Sequence, residues 1–499
     1  MKTRAWIIFG LLALIVALPM LMRRQTATTS ARTADDTLVI LSPHNESIRQ
    51  EFGEAFAAHW KKSTGRSIYI DWRTPGGTSE IRMVLDAGFK AADESTPKRD
   101  GIGVDIFFGG GEPDFASQAK KGRLVPLRVF DSHPEWFAAG GPIPETFTGE
   151  RYYAADHVWV GTCMSQFGIC YNPDVLRRLK IDPPTKWDDL GNPAYEGSLA
   201  LADPTKSGSV ARTFEVLVQS QMLRELSAPG ADPALAKDTG WTKGLQLIQR
   251  MAANARYFTD SASKIPHDVG QGNSAAGMCI DFYGRSYTHE LTTNDGSPRV
   301  IWVAPLGGTT LSGDPVAVLK GAEHPEVAQS FVEFCLSPEG QVLWFGKPGT
   351  PGGPKNRALY RSPIRRDIYT PENLANSTNP GVLPYDDPGN FVYQRELTGA
   401  SFNTLRQLVK IMCIDSHEEM KAAWSAMREA GMPEDAMEVF SDVSIVNYAK
   451  AGHGDPILDG PDALKAADRA AELGEWFRAN YRKAEAMARA KSSTANTTR

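Results

Sequence analysis

The apolar positions of the chain switch between two periods. "TLVILSP" (37–43) is a short continuous apolar run and predicts a buried strand. Ile48, Phe52, Phe56 and Trp60 then recur at helical spacing, predicting a helix opened by Asn45 and closed by Gly65. Ile68, Ile70 and Trp72 alternate, as in a second strand. Ser79 to Phe89 reads as a helix, "VDIFFGG" (104–110) as a third strand and "PDFASQAKKG" as the helix after it. Beyond a loop at 131–156 rich in Pro, Gly and aromatics, the alternation resumes. It gives strand-like runs at 157–173, 199–204, 276–284 and 299–308, and helices at 209–226, 242–254 and 322–336. Strand followed by helix, repeated, predicts an α/β fold with a largely parallel sheet. The segment 356–499 differs. Its periodicity at 416–431, 433–440 and 461–490 predicts a mainly helical C-terminal extension, ending in the polar, disordered tail "KSSTANTTR".

The N-terminus changes the cellular picture. Lys2 and Arg4 precede the apolar run Ala5 to Met22, and Arg23 and Arg24 follow it. Residues 1–35 therefore read as a signal peptide or an N-terminal membrane anchor plus linker; the run fits either. The rest is expected on the periplasmic side of the inner membrane, tethered there if the segment is uncleaved. With no Cys near the run, a lipid anchor is not expected.

Composition adds little. The chain has 499 residues and a net charge of −5, which argues against nucleic acid as a partner. Five cysteines leave at least one thiol unpaired. Cys163 and Cys170 lie too far apart along one strand to bridge, and buried free thiols are expected for most of the five.

Enzyme signatures such as G-x-S-x-G, H-E-x-x-H and the P-loop are absent from the sequence. What remains is a set of three loops, each at a strand-to-helix turn: "PGGTSE" (75–80), "GGGEPD" (109–114) and "DPTKSGS" (203–209). In open α/β sheets ligands bind outside the carboxyl ends of strands, where helix N-termini offer unpaired N–H groups and partial positive charge. Three such turns, divided between two α/β units, predict an anion held between lobes.

Several phrases carry a family resemblance. "FGICYNPDVL" (167–176), "KWDDLGNPAYEGSLALADPTKSGS" (186–209) and "AEHPEVAQSFVEFCLSPEGQ" (322–341) occur in the order found in periplasmic solute-binding proteins of ABC importers. The chain resembles their ferric-ion and organophosphate-binding branch over roughly 37–345. This resemblance implies a two-lobed (type II) fold with two crossovers, near 157–163 and 299–305. Lobe one would be 37–158 plus 300–355, and lobe two 163–298. It also implies a ligand in the interlobe cleft, an ABC permease in the membrane as partner, and no bond made or broken.

Residue by residue, the resemblance implies that Ser207, Gly208 and Ser209 hold phosphate at a helix N-terminus. Gly76, Gly77, Thr78 and Ser79 face them from lobe one, with Gly110 and Gly111 beside them. His44 stands where ferric binders place a histidine, and Tyr283 keeps one of their two tyrosines. Gly110 and Gly284 replace their glutamate and second tyrosine. A metal held by His44, Asp281 and Tyr283 is thus the alternative to a site without cofactor. Asp260 and Asp281 occupy positions where the branch carries Asn, which implies a ligand of both signs, such as an aminophosphonate, or an anion bound with a metal. Trp72, Tyr153 and Trp159 are further candidates for the cleft wall. A sensor that reports ligand to a membrane kinase is the second reading, and an enzyme on the same fold the third.

Overall fold

The computed structural model describes residues 33–497, with side chains to residue 493. The apolar N-terminal run lies outside the described residues. No helix among those described is long and apolar enough to cross a membrane.

Strands β1 (Asp36–Leu41), β2 (Ile68–Arg73) and β3 (Ile106–Phe108) pair in parallel, with β1 in the centre. The helix Glu46–Thr64 joins β1 to β2. Asn45 caps it by accepting from the Ile48 amide, and Gly65 ends it in the left-handed region at φ 76°. Ile48, Phe52 and Phe56 bury their side chains completely or nearly so. A small hairpin follows, β4 (Thr146–Phe147) with β5 (Glu150–Arg151).

The two lobes are joined by β6 (Val160–Tyr171), twelve residues and about 40 Å long. Its first half pairs antiparallel with β11 (Leu311–Val318), which lies on β3. Its second half pairs antiparallel with β9 (Ala276–Ile280). Parallel strands β7 (Leu199–Ala202) and β8 (Ala255–Thr259) continue lobe two from β9. Strand β10 (Ile301–Val303) lies on Ile169–Tyr171, and β12 (Ser362–Pro363) on Cys163–Met164.

The partner of β6 thus changes between Gln166 and Phe167, inside the run rather than at its start. Residues 301–303 still belong to the lobe-two sheet, and the return crossing is at 304–310. Both crossovers lie a few residues later than expected, because the strand is continuous and no turn residue marks the change of lobe.

Two further expectations are corrected. The strand at 276–284 stops at Ile280, and Asp281 opens a helix to Glu290. A carboxylate is favoured in the first turn of a helix, so the "DFYGR" segment is helical rather than extended. The final helix runs from Ala463 to Thr497, through most of the tail expected to be disordered.

The extension divides between the lobes. Leu359 and Ile364 complete the core of lobe one around Phe108, Phe331 and Trp344. From Leu397 onward the apolar residues, including Leu405, Trp424, Phe440, Phe477 and Tyr481, merge with Phe214, Leu217, Trp241 and Ile248 into one core of lobe two. All five cysteines are buried free thiols.

Candidate functional site

The three strand-to-helix turns open onto one cavity of about 730 Å3 between the lobes. From lobe one, β2 delivers Gly76 and Gly77 to the N-terminus of the helix Thr78–Glu94, where no side chain caps the first turn. From lobe two, β7 delivers Lys206, Ser207 and Gly208 to the N-terminus of the helix Gly208–Leu226. First-turn amides lack intrahelical acceptors, so both ends present N–H groups and positive field to the cleft. Both lengths suffice for a full helix dipole.

The two jaws touch. Ser79 Oγ donates to the Thr205 carbonyl at 2.8 Å. A Cβ on Gly77 would meet the Lys206 carbonyl at 2.9 Å, and one on Gly208 would meet Thr78 Oγ1 at 2.5 Å. Glycine at 77 and 208 is therefore what permits this approach. Lys206 is exposed and carries no ion pair among the described residues.

The floor of the cleft is a buried charge cluster that sequence reasoning missed. Asp314, on β11, accepts from Arg361 Nη1 at 2.5 Å and from the Gly110 amide at 2.9 Å, and lies 3.1 Å from His44 Nε2. Arg361 also donates to Ser165 Oγ, and its guanidinium lies 4.4 Å from the centre of the Phe282 ring. Burial pushes the Asp314 carboxyl up, but Arg361 and then His44 outweigh it and hold it well below the usual carboxylate range.

Of the residues expected at the site, His44, Gly76, Gly77, Thr78, Gly110 and Gly111 line the cavity from lobe one. Ser207, Gly208, Ser209, Asp260 and Tyr283 line it from lobe two. Ser79 and Asp281 do not. Ser79 is turned into the contact between the jaws, where its hydroxyl is hydrogen-bonded. Asp281 is 1 % exposed and faces Arg285 at 3.3 Å, one turn along its own helix. Burial pushes its carboxyl up, opposed by Arg285 and Arg361.

The GGG loop is less open to a ligand than its glycines imply. Asp314 already takes the Gly110 amide, and Glu112 and Asp114 occupy the first turn of the helix that follows Gly111. Glu112 in turn meets Arg151 and Arg395. Asp260 is exposed but bonded to Lys264 Nζ at 2.6 Å, so its charge is answered within the chain. The two aspartates therefore do not call for a positive group on the ligand.

The metal alternative fits poorly. His44, Asp281 and Tyr283 do not converge on one point of the cleft, since Asp281 is turned away from it. His44 is engaged by Asp314, and Arg361 brings a positive charge beside it. Burial pushes the Tyr283 hydroxyl up to about 12, which disfavours the phenolate a ferric ion prefers. Among the described residues no group of three His, Cys, Asp or Glu side chains is placed to hold a metal.

Of the candidate aromatics only Tyr283 reaches the cleft. Trp72 packs against Phe108 and Phe331, and Tyr153 and Trp159 are core residues.

The sequence held some signal for what was missed. Lys206 sits inside the turn "DPTKSGS". Arg361 and Arg406 each interrupt an apolar stretch, "ALYRSPI" and "FNTLRQLV", and a cation in such a place needs a buried partner.

A structure described as the periplasmic binding protein P5PA is 17% identical, with a TM-score of 0.50, covering 74% of this chain and 95% of that one. The phosphoglycerate transport regulatory protein PgtC of Salmonella typhimurium is 27% identical over 184 residues, 37% of this chain. The match spans 40% of that relative's length. The probable ABC transporter periplasmic-binding protein y4fP of Sinorhizobium fredii is 22% identical over 316 residues, 63% of this chain and 73% of that protein. The model of the bacterial extracellular solute-binding protein family matches residues 104–363, more than half of the chain. The chain belongs to the bacterial extracellular solute-binding protein family.

Proposed function

We propose that the protein is the extracytoplasmic receptor of an ABC importer. It captures a small phosphate- or phosphonate-type anion in the interlobe cleft and delivers it to a membrane permease, with no covalent chemistry. The observation that carries this reading is the meeting of two helix N-termini, one from each lobe, at a point where Lys206 has no ion pair among the described residues. Each helix N-terminus favours an anion by about 0.3–1 kcal/mol when exposed and up to about 2 kcal/mol when partly buried. An anion between them favours the closed arrangement, and closure is the signal a permease can read.

The paired Asp260 makes a plain anion sufficient. Glu80, which lines the cleft without an ion pair among the described residues, leaves room for a zwitterion whose amine faces it. The Salmonella relative is named for phosphoglycerate transport, which supports the same chemical class.

Isothermal titration tests the reading with 3-phosphoglycerate, a hexose phosphate, 2-aminoethylphosphonate, glycerate and ferric citrate. Binding confined to the phosphorus compounds, weaker at high salt, supports it. Binding of glycerate as tightly as 3-phosphoglycerate, or of ferric ion alone, contradicts it. The word "regulatory" in the relative's name favours a second reading, a ligand-dependent receptor for a membrane sensor. Co-purification with a permease or with a kinase separates the two.

A further inference from the structure

We propose that Arg406 is a positioning residue that latches the two jaws of the cleft together, making the C-terminal extension a working part of the binding fold. Only the part of this inference that concerns the anion rests on the proposed function.

From Leu397 onward the extension is fixed to lobe two by apolar packing. Leu405, Leu408 and Val409 share the core of Phe214 and Leu217, and Trp424 Nε1 donates to Asn254 Oδ1 at 2.9 Å. Beside the cleft, its reach to lobe one is polar. Arg406 Nη2 donates to Ser79 Oγ at 2.6 Å, Arg395 Nη1 lies 2.5 Å from Glu112, and the Tyr393 amide donates to the Thr148 carbonyl at 2.9 Å. An apolar junction of this extent stays closed while a few hydrogen bonds open and re-form, so the extension from Leu397 onward travels with lobe two and releases lobe one.

The Arg406 guanidinium touches both jaws at once. The same guanidinium that holds Ser79 also donates from Nε to the Pro204 carbonyl at 2.8 Å and from Nη2 to the Thr205 carbonyl at 3.0 Å. Phe402, one turn earlier, lines the cavity. Arg406 is only 5 % exposed, yet every bond it makes is to a neutral oxygen, and it has no ion pair among the described residues. Burial, and then Arg82, pull its pKa down to about 10. Asp114, Asp203 and Glu80 offset part of that effect, but none forms an ion pair with Arg406 among the described residues, and a buried cation so placed beside two helix N-termini gains from an anion in the cleft. The latch thereby couples closure to the charge of the ligand.

The test uses the full chain and small-angle scattering without ligand, on the wild type, Arg406→Ala, Arg406→Lys, Ser79→Ala and the double variant. Circular dichroism confirms that each is folded. A larger radius of gyration is expected for Arg406→Ala and Ser79→Ala, a smaller change for Arg406→Lys, and no further change in the double variant. The affinity for 3-phosphoglycerate should fall about tenfold or more in Arg406→Ala and less in Arg406→Lys. Wild-type scattering from folded Ser79→Ala and Arg406→Lys overturns the latch, even if Arg406→Ala does not fold. If the wild type binds no phosphorus compound, the proposed ligand class fails, while the scattering still decides the latch.

Discussion

Thr78 and Gly208 face each other across the cleft so closely that a methyl group on Gly208 would meet Thr78 Oγ1 at 2.5 Å. These residues begin the two helices whose N-termini point at the cavity. Their contact fixes how near the two positive ends come. Replacing Gly208 by Ala props the jaws apart at a strain of about 1–3 kcal/mol. The expected outcome is a loss of affinity for 3-phosphoglycerate of about tenfold or more, with the denaturation midpoint of the unliganded protein lowered by no more than that strain. Titration calorimetry and chemical denaturation check the two halves.

The Asp314 carboxylate is the single acceptor that gathers Arg361, His44 and the Gly110 amide. Removing it in Asp314→Ala leaves the Arg361 charge buried without its partner. Breaking a buried pair in this way costs about 3–5 kcal/mol, and urea denaturation should show a loss of that order.

The same carboxylate makes a prediction about pH. Its folded pKa is depressed below the unfolded value of about 3.9. The stability it contributes is therefore complete above the unfolded pKa and is lost as pH falls through it toward the folded pKa. Wild-type stability should fall more steeply below about pH 4 than that of Asp314→Asn, which has no such group to protonate. Parallel acid titrations followed by circular dichroism would show the two slopes.

The extension is expected to act as structure and not as an appendage. Trp424 is fully buried and hydrogen-bonded to Asn254 of lobe two. Trp424→Ala should destabilise the protein by about 3–5 kcal/mol, read by chemical denaturation. An appendage that folds independently of lobe two would give a separate transition and leave the main one in place.

All five thiols are buried, and burial pushes those of Cys163, Cys279, Cys335 and Cys413 up. A thiol-reactive reagent should therefore label the native protein slowly or not at all, and label five groups in denaturant. Fewer than five after unfolding without reductant would indicate a disulfide.

What the sequence made legible is mostly local. Asn45 and Gly65 bracket their helix because capping depends on residues three or four apart. The loops 75–80 and 203–209 could be recognised as facing jaws because strand-to-helix turns put glycines and hydroxyls at helix N-termini. The line of β6 is visible as an apolar run, but its change of lobe is not, since that depends on which strand lies beside it. Asp281 was misplaced because one residue decides whether a strand continues or a helix begins, and the side chain then turns from the cleft to Arg285. Asp314, Arg361 and Arg406 were out of reach for another reason. Their partners are tens to hundreds of residues away in the chain, and no local period records such a pairing.

The proposed ligand of the cleft is a phosphate- or phosphonate-type anion. Native mass spectrometry of the full-length protein, purified gently and without added ligand, tests it most directly. The expected result is a bound small molecule that dissociates on activation and contains phosphorus, and that is lost or depleted in Gly208→Ala. A protein that carries iron, or a co-purifying solute with no acidic group, would contradict it.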